Sequence, residues 1–210
     1  MVAAIIVPPE MLPAAPPSEA WEDIRSWRKA TRELLLKRRV ELAVHIRLAR
    51  GEQAKLRLSE HIDLSRFRML GIYWPMRGEI DVRDIARAHL SNSGGVGLPV
   101  VIERGRPVEF WAWRVGMRMT RGVWNIPVPA ERELVTPDAL IVPLVGFDAQ
   151  RYRLGYGGGY YDRTLAAAAV RPFCIGLGYE DCRLPSIHPQ PHDIPMDVIF
   201  TEQSSFGAPP

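Results

Sequence analysis

The sequence predicts an α/β protein, one domain with a central sheet covered by helices. Three observations carry that prediction. Residues 139–147 (ALIVPLVGF) are nearly all apolar, as a strand buried on both faces must be. Residues 160–170 follow a Gly-rich turn with a helical pattern, and residues 173–177 read as another short apolar strand. Strand, helix and strand in that order make a βαβ unit, whose parallel strands require a right-handed crossover. With 210 residues, 47% hydrophobic and 24% charged, the chain can bury a core and is unlike a disordered segment. No internal repeat divides it.

Along the chain, residues 1–17 are rich in Pro and Ala without periodicity and are expected to form a mobile tail. The folded domain is expected over residues 18–203, with 204–210 as a C-terminal tail. Ser18 is placed to cap a first helix whose opening turn carries Glu19, Glu22 and Asp23, a favourable arrangement at the positive end of a helix dipole. A second helical pattern covers 40–58 and is interrupted only by Gly51. Residues 67–74 read as a strand, 82–90 as a helix and 91–97 (SNSGGVG) as a loop. Residues 98–103 and 107–114 flank the turn Arg104-Gly105-Arg106 as a hairpin. Residues 197–201 supply a last strand.

Charge is unevenly spread. The formal net charge is +3, yet residues 25–57 hold eleven basic side chains against three acids, a local +8 that leaves the rest at −5. Arg25, Arg28, Lys29 and Arg32 recur at i, i+3, i+4 and i+7, so they share one helical face, and such crowding favours a nearby anion. A stripe with Ile24, Trp27, Thr31, Leu34 and Leu35 lies beside them. No run approaches the roughly 18 apolar residues of a membrane span. The N-terminus lacks the basic region of a signal peptide. Two cysteines are too few for a disulfide framework, so Cys174 and Cys182 are expected as reduced thiols of a cytoplasmic protein, with Cys174 in the core.

The most informative segment runs from Arg153 to Asp162 (RLGYGGGYYD). Gly155, Gly157, Gly158 and Gly159 let backbone N–H groups approach a ligand closely, and the helix beginning after them adds its own free donors. The loop fits neither a Walker A motif, lacking Gly-Lys-Ser/Thr, nor the dinucleotide fingerprint, because Tyr160 stands where a Gly is needed. It reads as a phosphate cradle. Asp162 can place a carboxylate beside bound phosphate, and Mg2+ accompanying that phosphate takes one or two carboxylates. The second acid is open among Asp148, Asp193 and Asp197. His188 and His192 are separated by prolines that prevent the helix needed to aim them at one metal. Trp111, Trp113 and Trp124 read first as core or rim residues. No nucleophile with an adjacent base stands out.

RLGYGGGYYDRTL, preceded by PDALIVPLVGFD and followed by HDIPMDVIFTE, resembles the 5-formyltetrahydrofolate cyclo-ligase family, as do YWPMRGEIDV (73–82) and WNIPVP (124–129). The likeness extends over about residues 19–203. It implies a three-layer α/β/α fold with a mostly parallel sheet, similar to the NagB/RpiA/CoA-transferase-like fold. It also implies ATP- and Mg2+-dependent closure of 5-formyltetrahydrofolate to 5,10-methenyltetrahydrofolate, with ADP and phosphate released. In that chemistry the formyl oxygen attacks the γ-phosphate, and N10 closes the ring as phosphate leaves.

Carried over by motif, Arg153, Leu154, Gly155, Tyr156, Gly157, Gly158, Gly159, Tyr160 and Tyr161 would hold ATP with Arg28, Lys29 and Arg32. Asp162 and Asp193 would bind Mg2+. Trp74, Glu79, Trp124 and Tyr160 would contact the folate, Glu79 at its pterin, and Arg153, Tyr160 and Asp162 would form the catalytic set. Some members carry a Lys in the loop where this chain has Gly158, which shifts its role to Arg153 or the first helix. Small-molecule substrates are then the expected partners of a monomer or weak homodimer, without nucleic acid or membrane. Two alternatives stay open: a divergent paralogue with another formylated or amino-pyrimidine substrate, and a non-catalytic protein using residues 25–57 as a nucleic-acid arm.

Overall fold

The structure, a computed structural model, describes residues 9–208 and 210. Its helices are α1 (Trp21–Glu41), α2 (Val44–His61), α3 (Arg83–Ser91) and α4 (Tyr160–Ala167). The first six strands are β1 (Met69–Gly71), β2 (Gly95–Val100), β3 (Glu109–Ala112), β4 (Met119–Arg121), β5 (Pro127–Pro129) and β6 (Leu134–Val135). The others are β7 (Ala139–Pro143), β8 (Gly146–Phe147), β9 (Arg153–Leu154), β10 (Phe173–Leu177), β11 (Val198–Phe200) and β12 (Ser205–Gly207). Eight of them form the central sheet in the order β12-β11-β10-β7-β1-β2-β3-β6, while β4 pairs with β5 and β8 with β9 in separate ribbons. From β11 to β2 the strands are parallel; β12, β3 and β6 are antiparallel additions at the edges.

Alternation along the inner strands separates two core layers, because successive side chains of a strand point to opposite faces. In β7, Ala139 and Ile141 join the cluster that includes Ala54 and Leu58 of α2 and Ala86 of α3. Leu140 and Val142 join the cluster with Leu165 of α4. β11 repeats the division, Val198 and Phe200 to one side and Ile199 to the other. The outcome is the mostly parallel α/β fold that the sequence predicts. α1 stands apart from these layers. Its Trp27 and Leu35 pack against Val145, Leu154, Leu184 and Ile187, over the β8–β9 ribbon and the chain that follows β10.

Strand order locates the crevice. β1 leads through α3 to its neighbour β2, whereas β7 leads through α4 to β10 on the opposite side. The adjacent carboxyl ends of β1 and β7 therefore flank the point where the winding reverses, the usual ligand position in open α/β sheets.

Several elements differ from the sequence expectation. Ser18 does not cap α1: its hydroxyl accepts from the Ala20 amide at 3.1 Å and bonds Asp23, and the helix starts at Trp21. α2 runs through Gly51 without a break. β2 begins at Gly95, inside the expected loop, since Gly95 and Gly97 pair with Met69 and Gly71. The apolar run 139–147 divides at Leu144 into β7 and β8, so the Gly-rich loop follows the small ribbon rather than a long buried strand. Residues 204–210 are more than a tail, because β12 pairs with β11 and Phe206 packs edge-on to Phe147. Of the N-terminal segment, residues 1–8 lie outside the described residues; Leu12 packs against the α1 cluster and the Pro13 carbonyl accepts from Trp27 Nε1 at 3.3 Å. Cys174 and Cys182 are buried and unbonded, and burial pushes both thiols up to about 12. Among the described residues no helix is long and apolar enough to cross a membrane.

Candidate functional site

The Gly-rich loop connects β9 to α4, and α1 lies against it. Gly157 has φ +90, a conformation that L side chains resist, and a Cβ there would come within 3.2 Å of the Arg32 guanidinium. Arg32 Nε donates to the Gly155 carbonyl at 2.6 Å. No hydrogen bond from its two terminal nitrogens occurs among the described residues. Burial, and the nearby Arg28 charge after it, lower the Arg32 pKa, the mark of a cation short of counter-charge. Gly159 caps α4 in a left-handed conformation, leaving the first N–H groups of that helix facing the loop. Arg163, one turn on, bonds the Gly158 carbonyl and lies 5.4 Å over the Tyr160 ring.

Two ion pairs fasten the chain before β11, one through the flanks of this loop and one through α1. Arg153 is buried in β9 and meets Asp162 at 3.0 Å, while also donating to the Ile194 carbonyl at 3.0 Å. Asp162 accepts from the Ile194 amide at 3.1 Å, so both members grip the same residue. Arg28 holds Asp193 through two contacts, 3.3 and 2.5 Å, and donates to the carbonyls of Ile187 and His188. His188 has φ +52, a strained conformation that Arg28 helps to fix. Asp162 accepts from the Ile194 amide and Asp193 from the Gln190 amide, and each is already beside an arginine.

The opposite wall comes from the segment after β1. Arg77 (φ +47) and Gly78 (φ +76) are consecutive left-handed residues that turn the chain sharply before Glu79. Three bonds pin the turn: Arg39 Nε to the Arg77 carbonyl at 3.0 Å, Tyr179 OH to the Gly78 carbonyl at 3.2 Å, and Tyr73 OH to the Ile80 carbonyl at 2.7 Å. Glu79 accepts from the Met76 amide at 2.8 Å and from Tyr156 OH at 2.8 Å. Arg39 completes the wall, reaching Leu144 O just beyond β7 at 2.9 Å and Tyr156 OH at 2.7 Å. Burial raises the Glu79 pKa, against the opposing charge of Arg39.

Not every residue singled out by sequence points into this crevice. Lys29 is exposed, about 100° around α1 from Arg28. Arg25 is exposed too. The face that does line the crevice carries Arg28, Arg32 and Arg39, with the core residue Leu35 between them. Arg39 is the residue that sequence reasoning missed, and extending the Arg28, Arg32 spacing by two more turns would have found it. Leu154 is buried in the α1 cluster and offers only backbone. Tyr161 packs against the α4 side of the core with Arg153 5.7 Å from its ring, and burial, with the Glu79 charge after it, raises the pKa of its hydroxyl.

Asp148 is fully buried and accepts from the Tyr152 and Ile187 amides; Asp197 accepts from the Cys174 amide and pairs with Arg171. Both are structural, which leaves Asp193 as the second acid near Asp162. Trp74 is half-buried with Arg83 5.1 Å above its ring. Trp113 is core and Trp111 is half-buried. Trp124 is 61% exposed at the tip joining β4 to β5, and its ring meets Tyr160 edge-on at 5.5 Å. His188 and His192 face Trp27 and Trp21 rather than each other.

Fold and site together define a class: an α/β protein with a cation-lined Gly-rich loop at the reversal of strand order. A family model described as the 5-formyltetrahydrofolate cyclo-ligase family matches residues 24–202. The chain belongs to that family, whose members are ligases. A 5-formyltetrahydrofolate cyclo-ligase of Mycolicibacterium smegmatis is 32% identical over 130 residues, covering 62% of this chain and 65% of the relative. The match therefore spans just under two thirds of that relative's length. One from Haemophilus influenzae is 26% identical over 159 residues, 70% of this chain and 85% of the other. Among solved structures, the Aquifex aeolicus 5,10-methenyltetrahydrofolate synthetase superposes with a TM-score of 0.75 at 27% identity, covering 86% of this chain and 92% of that one. The Mycoplasma pneumoniae synthetase, at 22% identity and a TM-score of 0.69, shares the fold.

Proposed function

We propose that the protein catalyses the ATP-dependent closure of 5-formyltetrahydrofolate to 5,10-methenyltetrahydrofolate. The observation that carries this reading is the meeting, at one crevice, of an anion-receiving loop and a half-buried carboxylate suited to a pterin. The loop supplies free backbone donors at the start of α4 and the two unpaired nitrogens of Arg32, which together suit a triphosphate. Glu79 supplies an acceptor for the N–H groups of a pterin ring, in surroundings dry enough to raise its pKa. Trp124 and Tyr160 form an aromatic edge beside the loop against which a flat ring can rest.

No activated nucleophile stands in the crevice among the described residues, which agrees with chemistry in which the substrate's own formyl oxygen attacks the γ-phosphate, ADP leaves, and N10 then closes the ring and displaces phosphate. What the protein contributes is placement of two substrates and neutralisation of charge. Arg32 lies under the loop with two terminal nitrogens that bond nothing among the described residues, while Arg28 keeps Asp193 in place. Asp162 and Asp193 fit a Mg2+ ion in donor chemistry, being two carboxylates held next to the loop, one by the Ile194 amide and the other by the Gln190 amide. Mg2+ bound there would offset phosphate charge, with phosphate and water completing its ligands.

The test is direct: purified protein, 5-formyltetrahydrofolate, ATP and Mg2+, with formation of the methenyl product followed by its absorbance. Absence of turnover, together with no folate binding in calorimetry, sinks the reading. Asp162→Asn preserves an acceptor for Ile194 while removing the charge, and turnover is expected to fall by about 100-fold or more with the fold retained by circular dichroism. A fully active variant removes the metal role.

A further inference from the structure

The Tyr156 side chain spans the crevice. Its backbone belongs to the Gly-rich loop, yet its hydroxyl sits between Arg39 Nη2 at 2.7 Å and Glu79 Oε1 at 2.8 Å. Arg39 can only donate, so the hydroxyl accepts from it and gives its own proton to Glu79. The other Glu79 oxygen is taken by the Met76 amide. A carboxylate has about four lone-pair sites, so Glu79 can keep both bonds and still accept from a ligand. Those two bonds, however, set where its free lone pairs point.

The other end of the side chain is attached to the part of the loop that a phosphate would engage. Gly155, on one side of Tyr156, has its carbonyl on Arg32 Nε, and Gly157, on the other, lies over the same guanidinium. A phosphate that takes up the free nitrogens of Arg32 acts on both neighbours of Tyr156. The residue is 37% exposed, and Arg77 lies 6.0 Å from the ring centroid. Hydrogen bonds, more than packing, hold this side chain. Burial and the Glu79 charge raise its pKa, so the hydroxyl remains a donor throughout the physiological range.

We propose that Tyr156 is a positioning residue that couples the two substrates: a nucleoside triphosphate on the Gly-rich loop fixes Tyr156, which fixes Glu79 for the folate, and each ligand tightens the other. The proposal rests on the cyclo-ligase reading above. Coupling of this kind is reciprocal, so it is measurable from either side.

The experiment is calorimetric titration of 5-formyltetrahydrofolate into the full chain, with and without a non-hydrolysable ATP analogue and Mg2+, and the reverse titration. For the wild type, each ligand is expected to tighten the other by about fivefold or more, by the same factor in both directions. For Tyr156→Phe, which lacks only the hydroxyl, that factor is expected to approach one, whatever happens to the separate affinities. The ratio is the readout because a purely structural defect weakens both titrations alike and leaves it unchanged. A wild type that binds both ligands without coupling, or a Tyr156→Phe variant that keeps the coupling, overturns this inference alone. Failure of the wild type to bind either ligand fails the functional reading, and this one with it.

Discussion

Arginine does more here than supply charge. Arg28 and Arg39 each give two bonds to carbonyl oxygens, including those of His188 and Arg77, both left-handed. A planar fork with five donors can hold such turns where lysine, a point charge, cannot. Glu79 shows the opposite balance, a carboxylate held in surroundings that penalise its charge. Its raised pKa gives a testable pH dependence. A pterin N–H needs the ionised acceptor, so folate affinity is expected to fall as pH drops through the raised value, above 4.5 where an ordinary glutamate is still charged. The loss should approach tenfold per pH unit beyond that point. Calorimetry across that range checks it, and Glu79→Gln should remove the dependence. The linkage to stability has the other sign. The folded protein holds this proton more tightly than the unfolded chain, so the stability it contributes is present below 4.5 and lost as pH rises through the raised value.

At the scale of elements, what could be read from sequence follows from how locally each element is determined. β10 occupies residues 173–177 as expected, because five consecutive residues suited to two-sided burial admit few other readings. The Gly-rich loop was legible because its glycines answer a backbone requirement within a few residues. The β8–β9 ribbon was not, since it exists through pairing of Gly146 with Leu154 and contact with α1, far earlier in the chain. β1 was expected over eight residues and forms over three, the rest being drawn into the turns that present Trp74 and Glu79. That short strand leaves no room for a side chain at its end. A Cβ at Gly71 would overlap Leu140 and approach Phe110 at 2.9 Å. Gly71→Ala is therefore expected to cost about 1 to 3 kcal/mol by overpacking, read as a lowered midpoint in denaturant unfolding with an unchanged slope.

At the scale of the molecule, the order of strands brings the site together, and it was the least legible feature. Arg39 and Tyr156 are 117 residues apart, and Tyr156 and Glu79 are 77. Nothing within a window of sequence marks such pairs. The far edge of the sheet was also misjudged, because β12 is short and lies beyond the last apolar run. Deleting residues 204–210 uncovers β11 and removes Phe206 from Phe147 and from Arg183, which lies 4.8 Å from its ring. Loss of that half-buried ring, about 1 to 2 kcal/mol, is expected to lower the melting temperature by about 2 to 8 °C in a thermal scan. The grip of Arg28 on Asp193 has a further consequence, in time rather than space. The two are 165 residues apart, so a chain synthesised at about 5 to 20 residues per second exposes its arginine-rich first helix for about 8 to 33 s before that partner is made. The first helix to emerge is among the last to dock, and for that interval its cations face whatever the ribosome's surroundings offer.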